Sequence, residues 1–375
     1  MSKEKEQSLK QEETDVQNMD NMDIVKKMSR KASRRNYITY GIVIAFYAIV
    51  QILKATGHLS AHFNGLLVPL TYYAIVAVAL NLVVGILGDL SLGHAGFMCI
   101  GAFSASLFSV VMKQTDMPSG LRFFIALLIG TVVAAIFGFL IGIPVLRLNG
   151  DYLAIVTLAF GEIIKNILAA IYLGYDETGL HISFKSFTLQ GEGKMLINGA
   201  MGIQGSPTDS SFTIGIVLLL LALIIVQNLV NSRTGRAVMA IRDNRIAAQS
   251  IGINVTGYKM LAFTVSAAIA GTAGVLFSHN MSTLTATSGY FGYNVSIMIL
   301  VYVVLGGIGN IRGSVIAAAI LYVLPEMLRG LNNYRMLIYS IVLIVIMLVN
   351  WAPKALEVRE KIKAAITGKL KKEAD

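Results

Sequence analysis

The sequence is poor in the residues that build soluble enzymes and secreted scaffolds. It holds one cysteine, Cys99, set inside an apolar run, which excludes a disulfide framework and a cysteine-based zinc cluster. Five histidines, His58, His62, His94, His181 and His279, are scattered without ligand spacing, so no metal site is expected. Charged residues make up only 14% of the chain, against roughly 25% in a soluble domain. With so little polar surface to present, a water-soluble fold is excluded. The short alternating segments of a membrane β-barrel are missing too. So are the phosphate-cradling Gly-x-x-x-x-Gly-Lys-Ser/Thr loop, the His-Glu-x-x-His helix and the Gly-x-Ser-x-Gly turn. No catalytic residue is nominated, and the chain reads as a non-enzyme.

What is present is apolar sequence: 55% hydrophobic residues, 35 glycines and a mean hydropathy of +0.68 over 375 residues. Ten apolar segments stand out, at about 37–53, 64–88, 91–112, 121–146, 151–173, 210–230, 258–279, 291–308, 314–331 and 335–351. Their lengths lie near the ~20 residues a helix needs to cross ~30 Å of hydrocarbon. The expected fold is an all-α polytopic membrane protein of about ten transmembrane helices, some broken or re-entrant. Alternating the segments across a membrane puts 23 of the 31 Lys and Arg on one side and seven on the other. By the positive-inside rule both termini are then cytoplasmic. The charge of +10 thus reports orientation and anionic lipid rather than nucleic acid. Residues 1–36 form a polar tail, expected to be disordered, with no cleavable signal peptide. Residues 37–351 form the membrane domain, and 352–375 a basic cytoplasmic tail. Small residues recur at four-residue spacing, as in Ala267/Gly271 and Ala270/Gly274, which lets helices approach closely.

Five stretches can carry function. The cytoplasmic loop 231–257 reads as two short helices, with Asp243 or Asn244 capping the second and Gly252 stopping it. Ala247 and Ala248 leave a smooth face suited to a groove on another protein; the plain alternative is a connector with stop-transfer charges. Next, Gly85–Phe97 crowds glycines beside Asp89, Ser91 and His94, as in a broken helix lining a cavity or, equally, in a tight cytoplasmic turn. Within Asp151–Asn166, Glu162 and Lys165 stand i,i+3 and neutralise each other, either in contact with cargo or locking two helices. The external loop 174–209 contains Gly199, Met201 and Gly202, where glycine permits unusual backbone angles and the loop can cover an outer mouth. Finally, Val304–Ser314 echoes the Gly85–Gly93 run.

Taken together, Leu90–Phe97, Tyr152–Ile163, Met201-Gly202-Ile203, Thr234-Gly235-Arg236-Ala237 and Leu305–Gly309 resemble the LivM-type permeases of branched-chain amino acid ABC importers, over about residues 65–350. The resemblance implies a second, LivH-like permease, two ABC ATPase subunits and an extracytoplasmic binding protein as partners. It implies that ATP and Mg sit on the ATPases, with no cofactor on this chain, in the inner membrane of a prokaryote. The cargo would be Leu, Ile and Val. Arg233, Gly235, Arg236, Asp243, Asn244, Ala247, Ala248 and Gly252 would form the ATPase-coupling loop. Ser91, Gly93, His94, Gly96 and Glu162 are candidates along the translocation path. One departure stands out. Importers in general carry Glu-Ala-Ala at the coupling motif, whereas Ile246 precedes Ala247-Ala248 here, leaving Asp243 as the nearby acid. Related permeases carry urea or amides, which keeps those cargoes and other amino acids open. An ion-coupled secondary transporter is a further alternative, for which Glu162 with His94 is thin material for a charge relay.

Overall fold

A computed structural model describes residues 37–351 apart from 58, 59, 114, 116, 149, 178 and 188–192, so the anticipated tails at 1–36 and 352–375 lie outside the described residues. The chain divides into two units, the first ending at Ser60. In that unit one apolar helix, α1 (Tyr37–Ala55), is long enough to cross a membrane and exposes Ile42, Ile44, Ile49 and Ile52.

The second unit is a helical bundle. Its most buried element is α2 (Ala61–Asn81), apolar on every face, which passes into a π-helical turn at Leu82–Leu87. That turn closes where the Gly88 and Asp89 N–H groups both donate to the Val83 carbonyl at 3.0 and 3.2 Å. Gly88 takes a left-handed φ of 83°, so the helix stops there at no steric cost. The chain then runs non-helical to α3 (His94–Met112). Helices α4 (Ser119–Val145) and α5 (Asp151–Ala170) follow. After the connection at 171–211 come α6 (Phe212–Asn231), the short pair α7 (Arg233–Asp243) and α8 (Arg245–Ser250), and α9 (Val255–Ser278). The last elements are α10 (Ser288–Phe291), α11 (Tyr293–Gly306), α12 (Ile311–Met327) and α13 (Arg335–Trp351).

Small residues set the seam of α3, α4 and α9. A Cβ added to Gly101 would come within 2.3 Å of the Gly271 carbonyl, and one on Gly274 within 2.0 Å of the Met98 carbonyl. The four-residue spacing around Ala267 and Gly271 is therefore the packing code of this contact. Among the described residues nine helices are long and apolar enough to span a membrane, α10 and α11 together making one broken span. The tenth anticipated segment is α13, apolar but only 17 residues long.

The fold is not purely helical. Strands β1 (Tyr172–Asp176), β2 (Gly179–Ser183) and β3 (Lys194–Asn198) make an antiparallel sheet in the order β2-β1-β3, and β4 (Ile203–Gln204) pairs with β5 (Thr283–Leu284). The expectation of an all-α chain is corrected here. Backbone that leaves a helix must find new partners, and the alternation Leu180-His181-Ile182-Ser183 suits an edge strand better than a coil.

Candidate functional site

The coupling stretch folds as two capped helices. The Ser232 hydroxyl accepts from the Gly235 N–H at 3.2 Å and so starts α7. The Asn244 side chain accepts from the Ala247 N–H at 3.0 Å and starts α8, so the cap is Asn244 rather than Asp243. Gly252, with φ 85°, ends the pair. Gly235 packs inward, where a Cβ would meet the Leu229 and Val230 carbonyls at 2.3 Å. Ile241, Ala248 and Val255 form a small core with Ile253 and Tyr258. Ala248 thus faces inward, while Ala247 stays exposed. The surface beside Ala247 is apolar: Ile246 is 80% and Ile251 77% exposed. Arg233 and Arg236 are exposed, and Arg236 donates to the Asn231 carbonyl at 3.1 Å. Asp243 pairs with its neighbour Arg242 at 2.9 Å.

This pair of helices is fixed to the break after α2. Arg242 donates to the Gly85 carbonyl at 3.1 Å, and its aliphatic stem lies where a Cβ on Gly88 would be, 2.5 Å from Arg242 Cγ. Lys259 on α9 pairs with Asp89 at 2.7 Å, both side chains largely buried. Asn81, the last residue of α2, accepts from the Gly309 N–H at 2.9 Å and donates to Ser314 Oγ at 2.7 Å. One short stretch, Asn81–Asp89, therefore holds α7, α9 and the α11–α12 turn together. The Gly85–Asp89 stretch is the broken end of a helix, buttressed as a turn by these contacts. Arg242 and Lys259 were not nominated from sequence; the signal available was only that Arg242 lies in a basic loop and Lys259 just past its end.

Deeper in the bundle His94 is 1% exposed. Ser266 Oγ donates its one hydrogen to the Ala79 carbonyl at 2.6 Å, so it accepts from His94 Nε2 at 2.7 Å, and Nδ1 is left facing Ser91 Oγ at 3.3 Å. The Nε2–H tautomer assigned from this network closes every bond. Gly93 and Gly96 pack on α5, where a Cβ would lie 2.5 Å from the Thr157 carbonyl and 2.7 Å from Gly161 Cα respectively. Ser91, Gly93, His94 and Gly96 are thus brought together as a helix-locking cluster.

Glu162 lies apart from them. Lys165 donates to it at 2.5 Å and to Ser288 Oγ at 3.0 Å. The other Glu162 oxygen accepts from the Tyr293 N–H at 2.7 Å. A carboxylate on α5 therefore caps the start of α11, where the positive end of the helix dipole favours it. It also bridges the break between α10 and α11. Beside that break lies a cavity of about 380 Å³ bordered by Ser288 and three tyrosines. Tyrosines within apolar runs carry no period that marks them as a site, so sequence reasoning missed it.

In the connection between α5 and α6, Gly199 and Gly202 are buried and Met201 is 56% exposed. Both glycines have positive φ, 50° and 65°. A Cβ on Gly202 would fall 1.9 Å from the Leu284 carbonyl, which explains the tight β4–β5 pairing.

Apolar spans in series, with a broken helix beside a cavity and a helical pair buttressed on a second break, mark a multi-pass membrane protein. Residues 63–348 match the family described as branched-chain amino acid transport system / permease component, and the chain belongs to that family. It is similar to the high-affinity branched-chain amino acid transport system permease protein LivM of Salmonella typhimurium, 36% identical over 297 residues, covering 76% of this chain and 67% of the relative. The LivM protein of Escherichia coli K12 is 35% identical over the same shares. The LivH permease of the same strain is 27% identical over 69% of this chain and 82% of the relative. No solved structure matches at a significant level. The chain is a transport permease subunit, as its relatives are.

Proposed function

We propose that the chain is one permease of an ATP-driven importer for Leu, Ile and Val in a bacterial inner membrane, with both termini cytoplasmic. In this reading a LivH-like permease completes the path, two ATPases dock on the cytoplasmic side and a binding protein delivers cargo outside. The observation that carries it is the α7–α8 pair: a capped, two-helix unit that presents Ile246 and Ile251 outward, yet is anchored by Arg242 to the broken end of α2. Closure of the ATPases pushes on the exposed isoleucines. The movement passes through Arg242 to Gly85, and through Asn81 to the Gly309 turn between α11 and α12. Glu162 holds the other end of α11, so α11 shifts against α5 and opens the path to alternate sides.

What supports the cargo is kinship with LivM and LivH relatives. The test is leucine uptake into proteoliposomes holding the complete importer. Ile246→Arg is expected to leave the permease pair assembled and folded while abolishing ATP-driven uptake. Full uptake by the variant, or uptake by the permease chain alone without ATPases, would overturn the reading.

A further inference from the structure

The cavity beside the α10–α11 break has a composition that calls for a ligand. At about 380 Å³ it sits at the small end of ligand pockets, which run from roughly 300 to 1,000 Å³. Tyr302, 4% exposed, opens on it, together with Tyr73 and Tyr322. The three rings touch, with centroids 6.2 Å apart for Tyr73 and Tyr302 and 5.1 Å for Tyr73 and Tyr322. None of their hydroxyls has a hydrogen-bond partner among the described residues, and that of Tyr302 is not sealed in protein. A buried hydroxyl left unpaired is costly unless something visits it.

The mouth of the cavity adds donors. Of the first backbone N–H groups of α11, Tyr293 donates to Glu162 and Val295 to the Gly292 carbonyl. The N–H of Asn294, between them, has no backbone partner, and its side chain has none among the described residues. Ser288 at the same mouth accepts from Lys165 at 3.0 Å, leaving its hydroxyl hydrogen to give. Val295 and Met298 line the wall.

We infer that this cavity is a cargo subsite that holds an aliphatic α-amino acid by its carboxylate. The carboxylate meets the Asn294 amide at the α11 N-terminus, with the Ser288 and Tyr302 hydroxyls around it, and the branched side chain lies along Val295, Met298 and the tyrosine faces. A helix start and convergent donors suit an anion, and the apolar wall suits a hydrocarbon tail. The inference rests on the transport reading above and adds to it a place and a set of residues.

Cys99 is wholly buried, so Gly289→Cys, at a cavity-lining position where an added Cβ meets nothing within 4 Å, gives this chain one reactive thiol beside the subsite without removing a binding group. In membrane vesicles carrying the complete importer, a methanethiosulfonate reagent should label that thiol, read on this chain by mass. Saturating leucine should slow the labelling, leucinamide should not, and adding Tyr302→Phe should weaken the protection roughly three- to tenfold, the worth of one hydrogen bond. Labelling unchanged by leucine, or slowed equally by leucinamide, would overturn the subsite. Wild-type leucine uptake in the same vesicles separates the two ideas: its absence would overturn the transport reading itself, whereas uptake with an unprotected cysteine at position 289 removes only the subsite.

Discussion

Arg242 makes two contacts that meet in one place, the bond to the Gly85 carbonyl and the packing of its stem on Gly88. Arg242→Ala removes the hydrogen bond that ties the Gly85 carbonyl of the π-helical turn to α7. In the complete importer, leucine uptake should fall roughly five- to tenfold with assembly and basal ATP hydrolysis preserved; unchanged uptake would remove Arg242 from the coupling route. The Lys259–Asp89 pair is a different case, because its side chains are 7% and 14% exposed. Asp89→Asn strands a buried cation and should cost about 3–5 kcal/mol of stability, read as a lower unfolding temperature in detergent. Adding Lys259→Met should recover much of that loss; strictly additive losses would show that the pair is not coupled. At this scale the sequence was half informative. Glu162 and Lys165 were visible as an i,i+3 pair, whereas His94, a path candidate by sequence, is bonded between Ser266 and Ser91. Arg242 and Tyr302 were not visible, because each acts on a partner more than a hundred residues away that only folding supplies.

Helices were the legible elements, since each required an apolar run of the right length and most end where glycine or a polar residue interrupts it. The caps of the short helical pair were legible too: Asn244 opens α8 and Gly252 closes it. Packing between α3 and α5 depends on Gly96 lying against Gly161. Gly96→Ala places a methyl group 2.7 Å from Gly161 Cα, so the helices must part, at about 1–3 kcal/mol. A thermal-shift series comparing Gly96→Ala with Gly120→Ala, whose Cβ would meet nothing within 4 Å, checks this; equal shifts would refute it. Burial of Ala248 also changes which substitution probes docking, because an arginine there would disrupt the Ile241–Val255 core. Ile246 is the cleaner site. The strands between Tyr172 and Gln204 were illegible: each is two to five residues long, and their pairing is set by register with one another rather than by hydrophobic period.

For the molecule as a whole, alternation of spans makes a prediction that ion pairs can test, since partners must share a side. Alternation of the apolar segments sets Asp89, after the second, and Lys259, at the start of the seventh, on one side, and they pair at 2.7 Å. It sets Arg122 and Asp209 on the opposite side, and they also pair at 2.7 Å. His62, near the start of α2, and Glu326, near the end of α12, pair at 2.5 Å. These contacts bring matching ends of the bundle together, and the Lys and Arg bias predicts which end faces the cytoplasm. The direction is measurable because the native cysteine is fully buried. Leu180→Cys, on the exposed edge strand β2 and 64% accessible, should react with an impermeant maleimide on intact cells. Ile246→Cys, 80% accessible on α8, should react only after permeabilisation. The opposite pattern would invert the bundle and put the proposed ATPase-docking surface outside, where no ATP is available to drive it.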